Sequence, residues 1–142
     1  MMIETTQMTA TVVTYPANVQ QKIDELVAEN FYIDDIVEFI DEHGNDDFLN
    51  HYDTYVELGE DYNYGAVDAF IEEFGIDLLS VDNFQDSYEG QYDSEAQFAE
   101  EHYDAMGYEI PPFVVVDWQA TWDQFLNHCC TFSNGYVFKT NW

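Results

Sequence analysis

Thirty Asp and Glu residues stand against two lysines, Lys22 and Lys139, and no arginine, and this imbalance constrains the fold more than any other feature of the sequence. At a formal net charge of −28, self-repulsion works against every compact state. Stability must then come from burial. The chain has the means, since 46% of its residues are apolar and 18% are aromatic, which excludes a disordered acidic tail. Its 142 residues suit one domain or two small lobes and are enough to bury a core.

The charge also bounds the partners. B-DNA carries one phosphate per ~1.7 Å of axis, so 28 charges correspond to roughly 48 Å of duplex, or about 14 base pairs. A compact chain of this length has a radius of gyration of about 14–15 Å and hence a diameter near 40 Å. The protein thus carries nearly the charge of a DNA segment of its own length. Nucleic-acid binding is excluded, because almost no cation exists to release counterions. Three readings stay open: mimicry of DNA towards a basic groove, an acidic solvation shell of halophilic type, and a binder of calcium or polycations. The aromatic load fits a small core packed against strong repulsion better than it fits a halophile. No run of 18 apolar residues occurs, and an anionic bilayer would repel the chain, so no membrane partner is expected. Met1-Met2-Ile3-Glu4 lacks the basic start of a secretory signal. The adjacent Cys129 and Cys130 have poor geometry for a mutual disulfide, and reduced thiols in a cytoplasm are expected.

Along the chain, hydrophobic periodicity predicts a mainly helical α+β protein. Residues 1–16 form an N-terminal tail or strand, with Thr9–Tyr15 β-branched enough to add a strand to a sheet. Residues 17–79 form an acidic helical region. One helix runs from Asn18 to about Glu29 with Ile23, Leu26 and Val27 apolar. A second runs from about Ile33 to His43 with Ile33, Ile36, Val37 and Ile40 inward, stopped by Gly44. Asn45 or Asp46 can cap a third, carrying Phe48, Leu49, Tyr52, Tyr55 and Val56. Gly59–Gly65 reads as a loop. Val67, Phe70, Ile71 and Phe74 mark a fourth helix, closed by Gly75. Residues 80–142 form the C-terminal region, either separate from 17–79 or one compact unit with it. A short acidic helix and a glycine break precede a capping box, Ser94 with Gln97, that opens a helix with Phe98, Tyr103 and Met106 as its stripe and Gly107 at its end. Phe113–Val116 reads as a buried strand or turn. Asp117 caps a helix reaching about His128, with Trp118, Trp122, Phe125 and Leu126 inward. Asn134-Gly135 between Thr131–Ser133 and Tyr136–Phe138 predicts a hairpin with a type I′ turn.

Catalytic and cofactor signatures are missing. Carboxylates are so dense that paired acids arise by chance, so no glycosidase pair can be inferred. HExxH, phosphate-loop and GxSxG motifs do not occur. Asp61-x-Asn63-x-Gly65 with Glu72 approaches a calcium loop, but its glycine falls at the fifth position rather than the sixth. His128-Cys129-Cys130 offers adjacent ligands that fit one tetrahedron poorly, and no second pair accompanies it. His43, His51 and His102 read as surface or helix-end residues. The expectation is a protein that is not an enzyme and uses no cofactor.

What the acids offer instead is spacing. On a helix, residues four apart are about 6 Å apart along the axis, close to the separation of neighbouring phosphates on one strand. Asp34, Glu38 and Glu42 form such a row, with Asp35 and Asp41 beside it. Asp68 and Glu72 form another, Asp82, Asp86 and Glu89 continue the pattern, and Glu100 and Asp104 complete it. These twelve are the candidate phosphate-mimicking surface.

Two ordered blocks carry a resemblance. Asn83-Phe84, Tyr88-x-Gly90-x-Tyr92-Asp93-Ser94 and Phe98-Ala99-Glu100-Glu101 are followed by Ile110-Pro111, Asp117-Trp118, Trp122, Leu126 and Gly135-Tyr136-Val137-Phe138. Over about residues 80–138 the chain resembles the ArdA antirestriction proteins of phages and mobile elements. The resemblance implies a DNA mimic that occupies the DNA channel of a type I restriction-modification enzyme in the host cytoplasm, and it implies a homodimer. ArdA proteins carry an N-terminal β-containing domain for which only Met1 to about Pro16 is available here, and the family's dimer-interface residues are not matched. The competing expectation is a halophilic-type structural or interaction protein with no DNA-groove target.

Overall fold

The computed structural model describes residues 14–142. Within these the protein is mainly helical, with one small antiparallel sheet near the C-terminus. Two compact units meet in sequence between Tyr52 and Asp53.

The first unit contains α1 (Ala17–Ala28), α2 (Ile33–His43) and the first turns of α3 (Asn45–Asp61). Helix α1 starts after Pro16, and it buries Val19, Ile23 and Leu26. Val27 falls on its exposed side. Helix α2 buries Ile36, Phe39 and Ile40. Ile33 was expected inward but is 46% exposed, because the buried stripe begins one turn later, where Phe39 joins it. Phe39 packs edge-on to Tyr52 at 5.0 Å and lies 4.6 Å from the His43 ring. Lys22 crosses to α3, where Nζ donates to the carbonyls of Phe48 and Leu49 at 3.0 and 3.2 Å and lies 5.0 Å from the Phe48 ring centroid. Neither Asn45 nor Asp46 precedes α3 as a cap. Both lie inside its first turn, and the Gly44 carbonyl accepts from Phe48 N at 3.1 Å.

The second unit holds the rest of α3, then α4 (Tyr64–Phe74), a 3₁₀ turn (Ile76–Leu78), α5 (Val81–Ser87), β1 (Tyr88–Gln91), α6 (Glu95–Ala105), α7 (Trp118–Gln124), a second 3₁₀ turn (Leu126–His128), β2 (Cys130–Ser133) and β3 (Tyr136–Lys139). Gly59 does not open a loop. It lies within α3, where a Cβ would approach the Tyr64 ring to 2.2 Å, so glycine here admits an aromatic neighbour. The calcium-like segment is a helix junction, with Asn63 Oδ1 accepting from Gly65 N at 2.6 Å to cap α4. Gly65 through Glu72 are then helical, which removes the loop that a calcium site would need.

The sheet order is β1-β3-β2 with both pairs antiparallel. Asn134 (φ 52°) and Gly135 (φ 90°) turn β2 into β3 with two positive φ values, as a type I′ turn requires. The third strand is β1, drawn from the segment expected to be a plain glycine break. Its register slips by one residue between Tyr88 and Gly90, a bulge that absorbs the non-alternating sequence. Thr9–Val13 lie outside the described residues, and Thr14 and Tyr15 are in no strand.

Two apolar clusters carry this unit. Leu58, Ala66, Val67, Ala69, Phe70, Leu79, Phe84, Tyr136 and Phe138 form the first, in which the Phe70, Phe84 and Phe138 rings meet at 5.8–6.1 Å. It joins residues on both sides of position 79. Phe98, Ala99, Trp122, Leu126, Cys130 and Val137 form the second cluster, between α6, α7 and the sheet. Helix α6 opens with Ser94 Oγ accepting from Gln97 N at 3.0 Å, while Gln97 Oε1 accepts from Asp93 N rather than from Ser94 N. Asp117 caps α7 through Ala120 N at 3.0 Å.

Three expectations fail at the α6–α7 end. Met106 is exposed, not part of the stripe. Helix α7 ends at Gln124, and the turn that follows rotates Phe125 outward to 62% exposure while Leu126 goes in. Of the strand or turn expected at Phe113–Val116 the turn forms, with Val114 N donating to Pro111 O at 3.0 Å, but it is not buried: Phe113 and Val115 are 95% and 96% exposed. Pro111 and Pro112 lack the amide protons that would pair such a segment into the sheet.

Candidate functional site

The twelve candidate acids divide between the units. On α2, the inward positions Ile36, Phe39 and Ile40 fix the opposite face, so Asp34, Asp35, Glu38, Asp41 and Glu42 are all exposed. Asp34 and Asp35 occupy the first turn, where the helix dipole favours a carboxylate. The rest of the row has no such help, and like charges four apart cost a few tenths of a kcal/mol per pair.

In the second unit, Asp68 and Glu72 lie on the exposed face of α4, Asp82 and Asp86 on α5, and Glu100 and Asp104 on α6, all exposed. Glu89 departs from the pattern. It is on strand β1 at the bulge, half-buried, with Oε2 3.6 Å from Lys139 Nζ.

Contacts separate the set further. Tyr55 Oη donates to Asp68 at 2.8 Å, Asn134 Nδ2 donates to Glu72 at 3.2 Å, and Glu42 lies 3.7 Å from His43 Nε2. Asp68, Glu72 and Glu89 thus tie elements together, whereas the Glu42 contact stays within α2; Glu73 also joins elements, accepting from Thr131 Oγ1 at 2.6 Å. Asp34, Asp35, Glu38, Asp41, Asp82, Asp86, Glu100 and Asp104 make no side-chain hydrogen bond or ion pair among the described residues. Their carboxylates are directed to solvent. Four of these eight are on α2, which is the densest open row.

Two lysines serve thirty acids, and both lysines are engaged, Lys22 with the backbone of α3 and Lys139 beside Glu89. The first unit carries eleven acids with Lys22 and the second nineteen with Lys139, so each is strongly anionic by itself. A field of that sign attracts a basic surface and repels nucleic acid.

Burial, with Cys129 alongside, pushes the Cys130 thiol up to about 12, the opposite of nucleophile activation. Its Sγ lies 3.9 Å from that of Cys129, and both cysteines are free. Burial likewise raises the phenols of Tyr88 and Tyr92, and for Tyr92 the neighbouring Glu101 and Glu89 add to the effect. No helix among the described residues is long and apolar enough to cross a membrane.

Comparison with known proteins returns no matching family model, no matching curated protein and no matching solved structure.

Proposed function

We propose that this protein inhibits a host DNA-binding enzyme by occupying its DNA channel, and that the enzyme is a type I restriction-modification complex. The observation that carries the reading is helix α2. Its five carboxylates project outward at three- and four-residue spacing from a face set by Ile36, Phe39 and Ile40, with an axial repeat of about 6 Å that approximates successive phosphates. A channel shaped for duplex DNA presents cations at similar density, and a protein without arginine has no means of competing for the DNA itself. The choice of target rests on the ArdA-like blocks between residues 80 and 138. Encounter is steered by charge, so it is fast and weakens with salt.

The test is a neutralised row. Each exposed pairing contributes only ~0–1 kcal/mol, so single acid-to-amide changes are nearly silent. Asp34→Asn, Asp35→Asn, Glu38→Gln, Asp41→Asn and Glu42→Gln together should weaken inhibition by about 100-fold or more, since every ~1.4 kcal/mol is tenfold. The fold should be unharmed. Full inhibition by a folded variant of this kind would rule out α2 as the contact surface.

A further inference from the structure

The second unit also carries a surface of the opposite character. Between α6 and α7, the segment following Gly107 leads through Ile110-Pro111-Pro112 to Asp117, and most of its apolar side chains are directed to solvent. Against the two helices it leaves a groove of about 1050 Å³. Tyr103, Tyr108, Trp118 and Phe125 supply aromatic surface, and Glu101 and Glu109 are among the acids along it.

The groove is built on fixed supports. Tyr103 stacks on Trp118 at 6.1 Å and meets Tyr108 at 5.6 Å. Beneath them, Phe98 packs edge-on to Trp122 at 5.8 Å in the second core cluster. The two prolines restrict the segment that closes one side. Among its lining, Tyr108, Ile110 and Phe125 are exposed, so an apolar partner has side chains to cover there.

Charge decides what covers it. Glu100 and Asp104 also border the groove, and no lysine or arginine lines it. A second copy would bring an identical acidic rim against this one in a two-fold contact, and like charges so juxtaposed are repelled. An apolar partner with cations meets both demands. Arginine suits it best, since its guanidinium can stack on Trp118 or Tyr108 while pairing with Glu109 or Glu101.

We infer that this groove is a docking site for a short amphipathic segment of another protein, rich in arginine and carrying one or two bulky apolar side chains. This goes beyond channel occupancy, which rests on the charge and spacing of the carboxylates on α2. The groove requires apolar anchors in the partner as well.

The experiment is fluorescence anisotropy of two labelled peptides at ~0.1 M salt, where long-range attraction is largely screened. One is a leucine–arginine amphipathic helix. The other is an arginine–serine peptide of the same length and charge. The leucine–arginine peptide should bind at least ~10-fold more tightly, as apolar anchors in an aromatic pocket do. Tyr108→Ser with Phe125→Ser should abolish the difference, and because both side chains are exposed the fold should survive. The five-amide variant of α2 should retain the difference, which separates failure of the groove from failure of channel mimicry. Equal binding of the two peptides would overturn the inference, as would a preference that survives the groove substitutions. So would a dimer in light scattering that those substitutions dissociate, since a second copy would then be the occupant.

Discussion

Helix α2 and the segment joining α6 to α7 treat the same two kinds of side chain in opposite ways. In α2 the apolar stripe goes inward and the acids outward, so water alone satisfies the surface. Between α6 and α7 the apolar residues go outward, and the acids border an aromatic groove. The first arrangement is what any anionic helix adopts when its core face is apolar, and its significance lies in spacing. The second costs solvation free energy for as long as nothing covers it. Exposed charge is therefore compatible with having no partner at all, whereas the groove, if it docks a partner as proposed, selects one by apolar as well as charged contacts.

Substitution sharpens the contrast most strongly at the aromatic rings. Phe39, buried on the inner face of α2, should cost about 3–5 kcal/mol when changed to Ala, as buried phenylalanines do. Phe113, almost fully exposed, should change stability by no more than about 0.5 kcal/mol when changed to Ser. Urea unfolding of the two variants checks both numbers. A large loss for Phe113→Ser would mean that the segment packs inward and that the contrast is false.

A smaller effect comes from beneath the groove. Cys130 belongs to the cluster that supports α6 and α7, and burial there holds its thiol at about 12, against an ordinary 9.0. The unfolded chain therefore loses this proton first as pH rises. The thiol's contribution is complete below pH 9 and is lost as pH climbs through 12. Tyr88 and Tyr92, also raised, act in the same direction, so the difference between the native chain and Cys130→Ala isolates the thiol. Melts across this alkaline range should show the native chain losing more stability than the variant. Equal losses would mean that the cluster is open to water, removing the rigid base on which the groove depends.

Local signals in the sequence carried much of the fold. Asn134-Gly135 specified its hairpin because few dipeptides accept two positive φ values, and Ser94 and Asp117 marked helix starts through chemistry confined to one turn. Strand β1 was not legible. Tyr88-Glu-Gly-Gln has no alternation, and it pairs because β3 presents a free edge that only the assembled hairpin creates. Gly59 looked like a turn residue because its reason for being glycine, the Tyr64 ring, is a neighbour that only the folded helices supply. Phe113–Val116 and Phe125 looked buried because composition reports apolarity and not orientation; two prolines and a short 3₁₀ turn decide the latter. The acid rows were legible as spacing on helices. Which members are tied down was not, since Tyr55, Asn134 and Lys139 reach Asp68, Glu72 and Glu89 only through tertiary structure.

The claim that the acidic surface stands in for DNA is tested most directly by displacement. A type I methyltransferase core is loaded with a labelled duplex, and the protein is titrated in at several salt concentrations. Channel mimicry predicts stoichiometric release of the duplex, with an apparent affinity that falls steeply as salt rises, as for the duplex itself. If the protein binds the core while the duplex stays bound, or fails to bind it at ~0.1 M salt, the account is contradicted.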